Sequence, residues 1–263
     1  MIEKNENVNS KRVKRLIHPD STARQITLED SRFYQRKEGL FYPSVTTVLS
    51  YYPKDKFFET WLKEVGSNAD VIMRRAGEEG TQVHTAIEAY LKGEEVTWIN
   101  EWGSTKYSLK VWQMILKFVN FWETYTPTLV ESEVHIFSDE LEVAGTLDLV
   151  VEIEGELWLL DIKTSNYLHD SFDLQLACYE QGWNECFEKP IQRRGIIWLK
   201  AMTRGESKKE GKMQGKGWEI KEPAESFEEN KRIFKHLYEI YKIKRPDVKP
   251  ITEILPTSIK LKG

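Results

Sequence analysis

The chain has 263 residues, 40% of them hydrophobic, 30% charged and 12% aromatic, with a formal net charge of −4. That length supports one sizeable core or a main domain with extensions, and no apolar run approaches the roughly 20 residues needed to span a bilayer. The only cysteines, Cys178 and Cys186, exclude a four-cysteine zinc or iron–sulfur site within one chain. The mildly acidic balance argues only weakly against nucleic acid, because net charge averages over patches.

The N-terminal stretch MIEKNENVNSKRVKRLIHPD is polar and lacks the apolar core of a signal peptide, so a cytoplasmic rather than secreted protein is expected. Residues 1–35 read as a peripheral segment, 36–245 as a single domain and 246–263 as a polar tail released by Pro246 and Pro250. In FYPSVTTVLSYYP, Ser44 or Thr46 can cap a short helix start. DKFFETWLKEVG spaces Phe57, Phe58, Trp61, Leu62 and Val65 as a helix does. GTQVHTAIEAYLKG puts Val83, Ile87, Tyr90 and Leu91 on one helical stripe, with His84 and Glu88 one turn apart on its shoulder. SLKVWQMILKFVNFWETY predicts a long amphipathic helix with Trp112, Ile115, Leu116, Val119 and Trp122 as its stripe. Trp98, Trp102 and Tyr107 could stack on unpaired bases, although aromatics more often fill cores.

From Thr128 the period changes to two. LVESEVHIF places Glu131, Glu133 and His135 on one face and Val130, Val134 and Ile136 on the other. LDLVVEI and ELWLLDI read as two strands meeting at Glu154-Gly155. A two-residue loop there sets Ile153 opposite Glu156, Val151 opposite Trp158 and Asp148 opposite Asp161. Such partners share a face with Cβ atoms about 4.5–5.5 Å apart, and alternation adds Lys163 to that face. Two carboxylates so placed repel each other unless a proton or cation lies between them.

DSFDLQLACYEQGWNECF is helical, with Gln175 and Tyr179 one turn apart. Both cysteines fall on it too far apart to bridge, which predicts free thiols in a reducing compartment. RRGIIWLKAM and GWEIKE read as two more strands. Between them, residues 204–217 carry five basic residues, among them Lys208, Lys209 and Lys212, against two acidic ones. On composition alone that loop is a solvated surface. Ser226 with Glu229 forms a capping-box pattern opening a last helix striped by Ile233, Phe234, Leu237, Tyr238 and Tyr241. The order predicts a mixed α/β (α+β) domain, a central mixed sheet flanked by helices.

Such a sheet could gather His84, Glu133, Asp148, Asp161, Lys163, Gln175 and Tyr179. Aspartate oxygens suit magnesium, and an added imidazole accommodates manganese. An ion beside a lysine fits phosphodiester hydrolysis better than acyl transfer. Neither a GxSxG elbow nor a GxxxxGK[ST] loop occurs in the sequence.

Gly145-Thr146-Leu147-Asp148, Asp161-Ile162-Lys163-Thr164 and the pair Gln175 and Tyr179 resemble the RecB-type branch of the PD-(D/E)xK nuclease superfamily. PSVTTVLS at 43–50 and GTQVHTAIEAYL at 80–91 are similar to the mitochondrial genome maintenance exonuclease group and its phage relatives. The resemblance implies a restriction-endonuclease-like core in which Asp148, Asp161 and the carbonyl of Ile162 hold Mg2+ or Mn2+. It makes His84 a further ligand and Lys163 the catalytic lysine. Glu133 stands where relatives carry an acid on the first strand, with Glu131 close enough to be the alternative. Thr164, Gln175 and Tyr179 would support the site or the DNA. The resemblance ends at about Tyr179; for a chain that acts on DNA, the basic loop itself makes Lys208, Lys209 and Lys212 the expected contacts to the backbone. The activity implied is a DNA exonuclease favouring single strands or free ends, working with replication, recombination or repair proteins in a bacterial or phage-infected cell. The iron–sulfur cluster that some relatives hold on four cysteines is not expected. A structure-selective endonuclease, a non-catalytic DNA-binding subunit and a hydrolase of small phosphate compounds are the rival readings.

Overall fold

A computed structural model describes residues 14–17, 25–28, 31–37, 39–199, 217–245 and 250–254. In chain order the strands are Lys14–Ile17 (β1), Gln25–Leu28 (β2), Ser31–Lys37 (β3), Leu40–Pro43 (β4), Thr128–Ser138 (β5), Val143–Ile153 (β6), Glu156–Lys163 (β7), Arg193–Leu199 (β8), Trp218–Lys221 (β9) and Ile251–Ile254 (β10). The helices are Val45–Leu49 (α1), Lys56–Val65 (α2), Ala69–Leu91 (α3), Leu109–Tyr125 (α4), Ser171–Cys186 (α5) and Phe227–Lys244 (α6).

The central sheet has the order β5-β6-β7-β8-β9. It is mixed: β7 and β8 run parallel, and the other neighbours are antiparallel. A parallel pair needs a crossover, and α5 supplies it. The β6–β7 turn forms because Glu154 at φ +52° and Gly155 at φ +84° take the two positive values that a type I′ turn requires. The expected register follows, with Ile153 paired to Glu156 and Val151 to Trp158. Antiparallel β2, β3 and β4 make a second sheet, and β1 pairs in parallel with β10. Phe33 and Tyr34 of β3, inside the stretch expected to be peripheral, are buried.

Residues 157–162 of β7 are all buried, as befits a strand covered on both faces. On one face Leu157 and Leu159 meet Leu174, Leu176 and Trp183 of α5 and Phe234, Leu237 and Tyr241 of α6. On the other, Leu160 and Ile162 meet Val83 and Ile87 of α3 and Met114, Phe118 and Phe121 of α4. Each such side chain is worth about 1.5–3 kcal/mol when fully buried, so this three-layer packing fixes β6 and β7 firmly. Ser44 caps α1 by accepting from the Thr47 amide, and Ser226 caps α6 by accepting from Glu229. Glu229 answers through the Ser226 hydroxyl, 3.0 Å away.

Several expected faces are rotated. In α4 the buried positions are Val111, Met114, Ile115, Lys117, Phe118 and Phe121, while Leu116 is exposed. The apolar face of this helix is wide, with Lys110, Gln113, Asn120 and Thr124 on the remaining side, so periodicity alone leaves its phase open. Ile233 of α6 is also exposed. Val130 is exposed rather than inward, because a register shift between Leu129 and Glu131 places a bulge there. In α2 the apolar spacing is helical as expected, yet none of its residues is buried. Trp98 and Tyr107 stack against Trp112, which gives them a packing role. Among the described residues, no helix is long and apolar enough to cross a membrane.

Candidate active site

The site lies where the β6 ladder is interrupted on both sides. Pairing with β7 ends at Leu149 and Leu160, one step short of Asp148 and Asp161. Beyond that point the Ile162 amide donates to Asp148 Oδ2 at 2.7 Å, so a carboxylate replaces a ladder carbonyl as acceptor. On the other side, Ser132 pairs with Leu149 and Val134 with Leu147. Glu133 falls between them with φ +50°. A left-handed conformation costs a non-glycine residue about 1–2 kcal/mol, and strain of this kind concentrates at functional sites.

Glu133, opposite Asp148 in that register, lies close to Asp148 and to His84, which projects from α3. One ligand atom from each of the three residues can be chosen so that all lie within 4.8 Å of one another. Two oxygens bound at about 2.1 Å on opposite sides of one ion would be about 4.2 Å apart, so small side-chain rotations close the set on a cation. His84 Nδ1 is 3.5 Å from Asp148 and 3.9 Å from Glu133, and its Nε2 is 3.1 Å from the Ile162 carbonyl. Burial pushes the His84 pKa down, but Asp148 and Glu133 overcome that and raise it to about 10. The pocket thus favours a positive charge at its centre. Burial likewise pushes Asp148 up, yet His84, Lys163 and the Ile162 amide together hold it below the usual carboxylate range.

Asp161 stands beside this group, 2% exposed. Its Oδ2 forms an ion pair with Lys163 Nζ at 2.5 Å without an aligned hydrogen bond, and its Oδ1 accepts from Gln175 Nε2 at 3.1 Å. Burial and the neighbouring charge of Asp148 raise its pKa to about 6 against the opposing pull of Lys163. Lys163 Nζ also donates to Gln175 Oε1 at 3.1 Å and lies 4.6 Å from the centre of the Phe172 ring. Gln175 therefore holds both members of the ion pair, and its Nε2 also donates to the Tyr179 hydroxyl at 3.0 Å. The Tyr179 ring lies so close to Gly145 that a Cβ there would be 2.4 Å from Cε1. Thr164 packs against α3, its Oγ1 lying 3.2 Å from where a Cβ on Gly80 would stand.

His84, Glu133, Asp148, Asp161, Ile162, Lys163, Gln175 and Tyr179 thus converge. Glu131 pairs with Val150 in the ladder, outside the cluster. Glu88 is bound to Lys92 at 2.6 Å. Lys208, Lys209 and Lys212 lie outside the described residues. Phe172 also borders the site, and its one-turn spacing from Gln175 is the only trace of this in the sequence. His135 Nδ1 lies 3.0 Å from Thr146 Oγ1, a link that local sequence does not signal. Two carboxylates, an imidazole and a carbonyl, with a buried Asp161 oxygen alongside, fit a hard divalent ion.

Fold and notch together define an α/β protein with an acidic, cation-attracting site on its central sheet. The family model of the PD-(D/E)XK nuclease superfamily matches residues 55–253, and the chain belongs to that superfamily. Its members are nucleases that use divalent metals and act on nucleic acid. One similar solved structure is that of a candidate exonuclease from Eubacterium rectale, at 12% identity and TM-score 0.41, covering 69% of this chain and 77% of that one. No curated protein matches the chain.

Proposed function

We propose that the chain is a magnesium- or manganese-dependent DNA exonuclease that hydrolyses phosphodiester bonds and favours single-stranded DNA or free ends. The observation that carries this reading is the convergence of His84, Glu133 and Asp148 beside the Asp161–Lys163 ion pair. Asp148, Asp161, His84 and the Ile162 carbonyl would hold the ion, with Glu133 completing the acidic wall. A bound divalent ion lowers the pKa of water and offsets charge developing on the phosphate. Lys163, held by Asp161 and Gln175, presents its ammonium where an attacking water or a phosphate oxygen can accept from it. Gln175 keeps that amine from turning away, and Tyr179 keeps Gln175 in place. The lysines of residues 204–217 would bind the DNA backbone.

The test is digestion of end-labelled single-stranded, duplex and closed circular DNA with magnesium, manganese or EDTA. The expected result is metal-dependent release from ends with the circle left intact. Cutting of the circle would replace the exonuclease reading with an endonuclease one. Full activity in EDTA, or in purified Asp148→Ala, would remove the proposed site altogether.

A further inference from the structure

The chain leaves Lys163 into a loop, residues 164–170, whose construction serves no evident packing purpose at its tip. Tyr167 sits there with 74% of its surface exposed. A lone exposed aromatic means little, but this loop is anchored on both sides of the ring. The Ser165 carbonyl accepts from Trp198 Nε1 at 2.7 Å, and the Ser165 hydroxyl donates to the Tyr167 carbonyl at 2.6 Å. Beyond the tip, Leu168 packs on the core, and His169 Nδ1 lies 3.6 Å from Asp55, the N-cap of α2. The Phe172 ring ties the anchor to the reacting end, meeting His169 on one side and the Lys163 ammonium on the other.

The Asp55 contact also brings the first turn of α2 to the loop. That turn carries Lys56 and Phe57, the latter 86% exposed, and follows Lys54. Phe172 and Asp55 thus tie the loop to Lys163 at one end and to α2 at the other. Four residues reach at most about 14 Å, so Tyr167 lies within range of nucleotides flanking a phosphate bound at the site. An exposed ring on an anchored loop gains from a flat partner, and every base offers a π-face.

We propose that Tyr167 is a stacking platform for an unpaired base of the substrate strand and so selects and positions single-stranded nucleotides beside Lys163. The proposal rests on the nuclease reading, and the experiment separates the two. Steady-state cleavage of an end-labelled single-stranded oligodeoxynucleotide is followed for the full chain, Tyr167→Ala and Tyr167→Phe with manganese present. Each uses the intact strand and a set of strands with one base at a time replaced by an abasic linker. Stacking predicts that Tyr167→Ala raises KM roughly tenfold to a hundredfold with kcat less changed, while Tyr167→Phe stays within about twofold.

It further predicts one position where the abasic linker raises KM for the unaltered chain and Tyr167→Phe but not for Tyr167→Ala, since that contact is already gone. The exposed ring leaves the Tm of Tyr167→Ala unchanged, which separates lost stacking from lost fold. An unchanged KM in Tyr167→Ala, or the same abasic penalty in all three proteins, overturns the proposal and leaves the nuclease reading standing. Absence of cleavage by the unaltered chain overturns both.

Discussion

Replacing Gly145 with alanine sets two effects of opposite sign against each other. Gly145 lies in β6 outside the left-handed region, so alanine fits the backbone and the loss of unfolded-state freedom would stabilise by about 0.4–1 kcal/mol. Against this, the new Cβ would lie 2.4 Å from Tyr179 Cε1, 3.0 Å from Cζ and 3.2 Å from the hydroxyl oxygen. Tyr179 is only 4% exposed, so the ring has little free space to enter. Overpacking of this sort costs about 1–3 kcal/mol, and a displaced hydroxyl forfeits its bond to Gln175, about 1 kcal/mol more. The clash wins, with a net loss of about 1–3 kcal/mol.

Urea unfolding of the metal-free protein measures this, with Tyr179→Ala and the double variant completing a cycle. Once the ring is gone the methyl has room, so Gly145→Ala in the Tyr179→Ala background should be neutral or slightly stabilising. A Gly145→Ala protein as stable as its parent, or a cost of equal size in both backgrounds, would refute the argument. The same substitution loosens Gln175, so cleavage should fall even where the variant remains fully folded.

Gln175→Leu removes hydrogen bonds to Lys163, Asp161 and Tyr179 at nearly constant volume. It should lower kcat well beyond any effect on KM, and it should cost about 1–3 kcal/mol by leaving an Asp161 oxygen unsatisfied; unaltered kcat would deny Gln175 its holding role. Lys163→Ala should abolish cleavage while preserving manganese binding by calorimetry, whereas Asp148→Asn should weaken that binding; the reverse pattern would exchange their roles. Cys178 is wholly buried and its thiol is pushed well up by burial, while Cys186 is exposed. A thiol reagent should therefore label one cysteine per native chain and both after unfolding; rapid labelling of both in the native protein would contradict the packing of α5.

The β6–β7 hairpin was legible because its determinants are local. Gly155, which takes positive φ without cost, and the apolar runs on either side of the turn fix a register that carries out to Leu149 and Leu160. Helix α4 shows the opposite case. Its apolar face takes in Leu116 and Val119 as well as Met114, Phe118 and Phe121, and is too wide to fix a phase, so only the sheet it packs on decides which way it faces. The partial cover over the apolar side of α2 could not be anticipated either, since spacing reports amphipathicity and says nothing about what covers it.

The site divides along the same line. Asp148, Asp161 and Lys163 could be placed by counting along two strands, but counting assumes a regular ladder, and here the ladder fails. Glu133 takes a conformation for which glutamate has no preference, so only contacts distant in sequence can impose it. Glu133 lies opposite Asp148 in the β5–β6 register and close to His84, so the acidic cluster falls on the β5–β6 side rather than at the expected Asp148–Asp161 pair. Asp161 is then engaged from the other side by Lys163 and Gln175. The two aspartates consequently experience different surroundings, one depressed beside an imidazole and the other raised in a buried pocket. A regular hairpin would have made them equivalent; with the ladder broken, Asp148 lies beside the His84 imidazole and Asp161 beside the Lys163 amine.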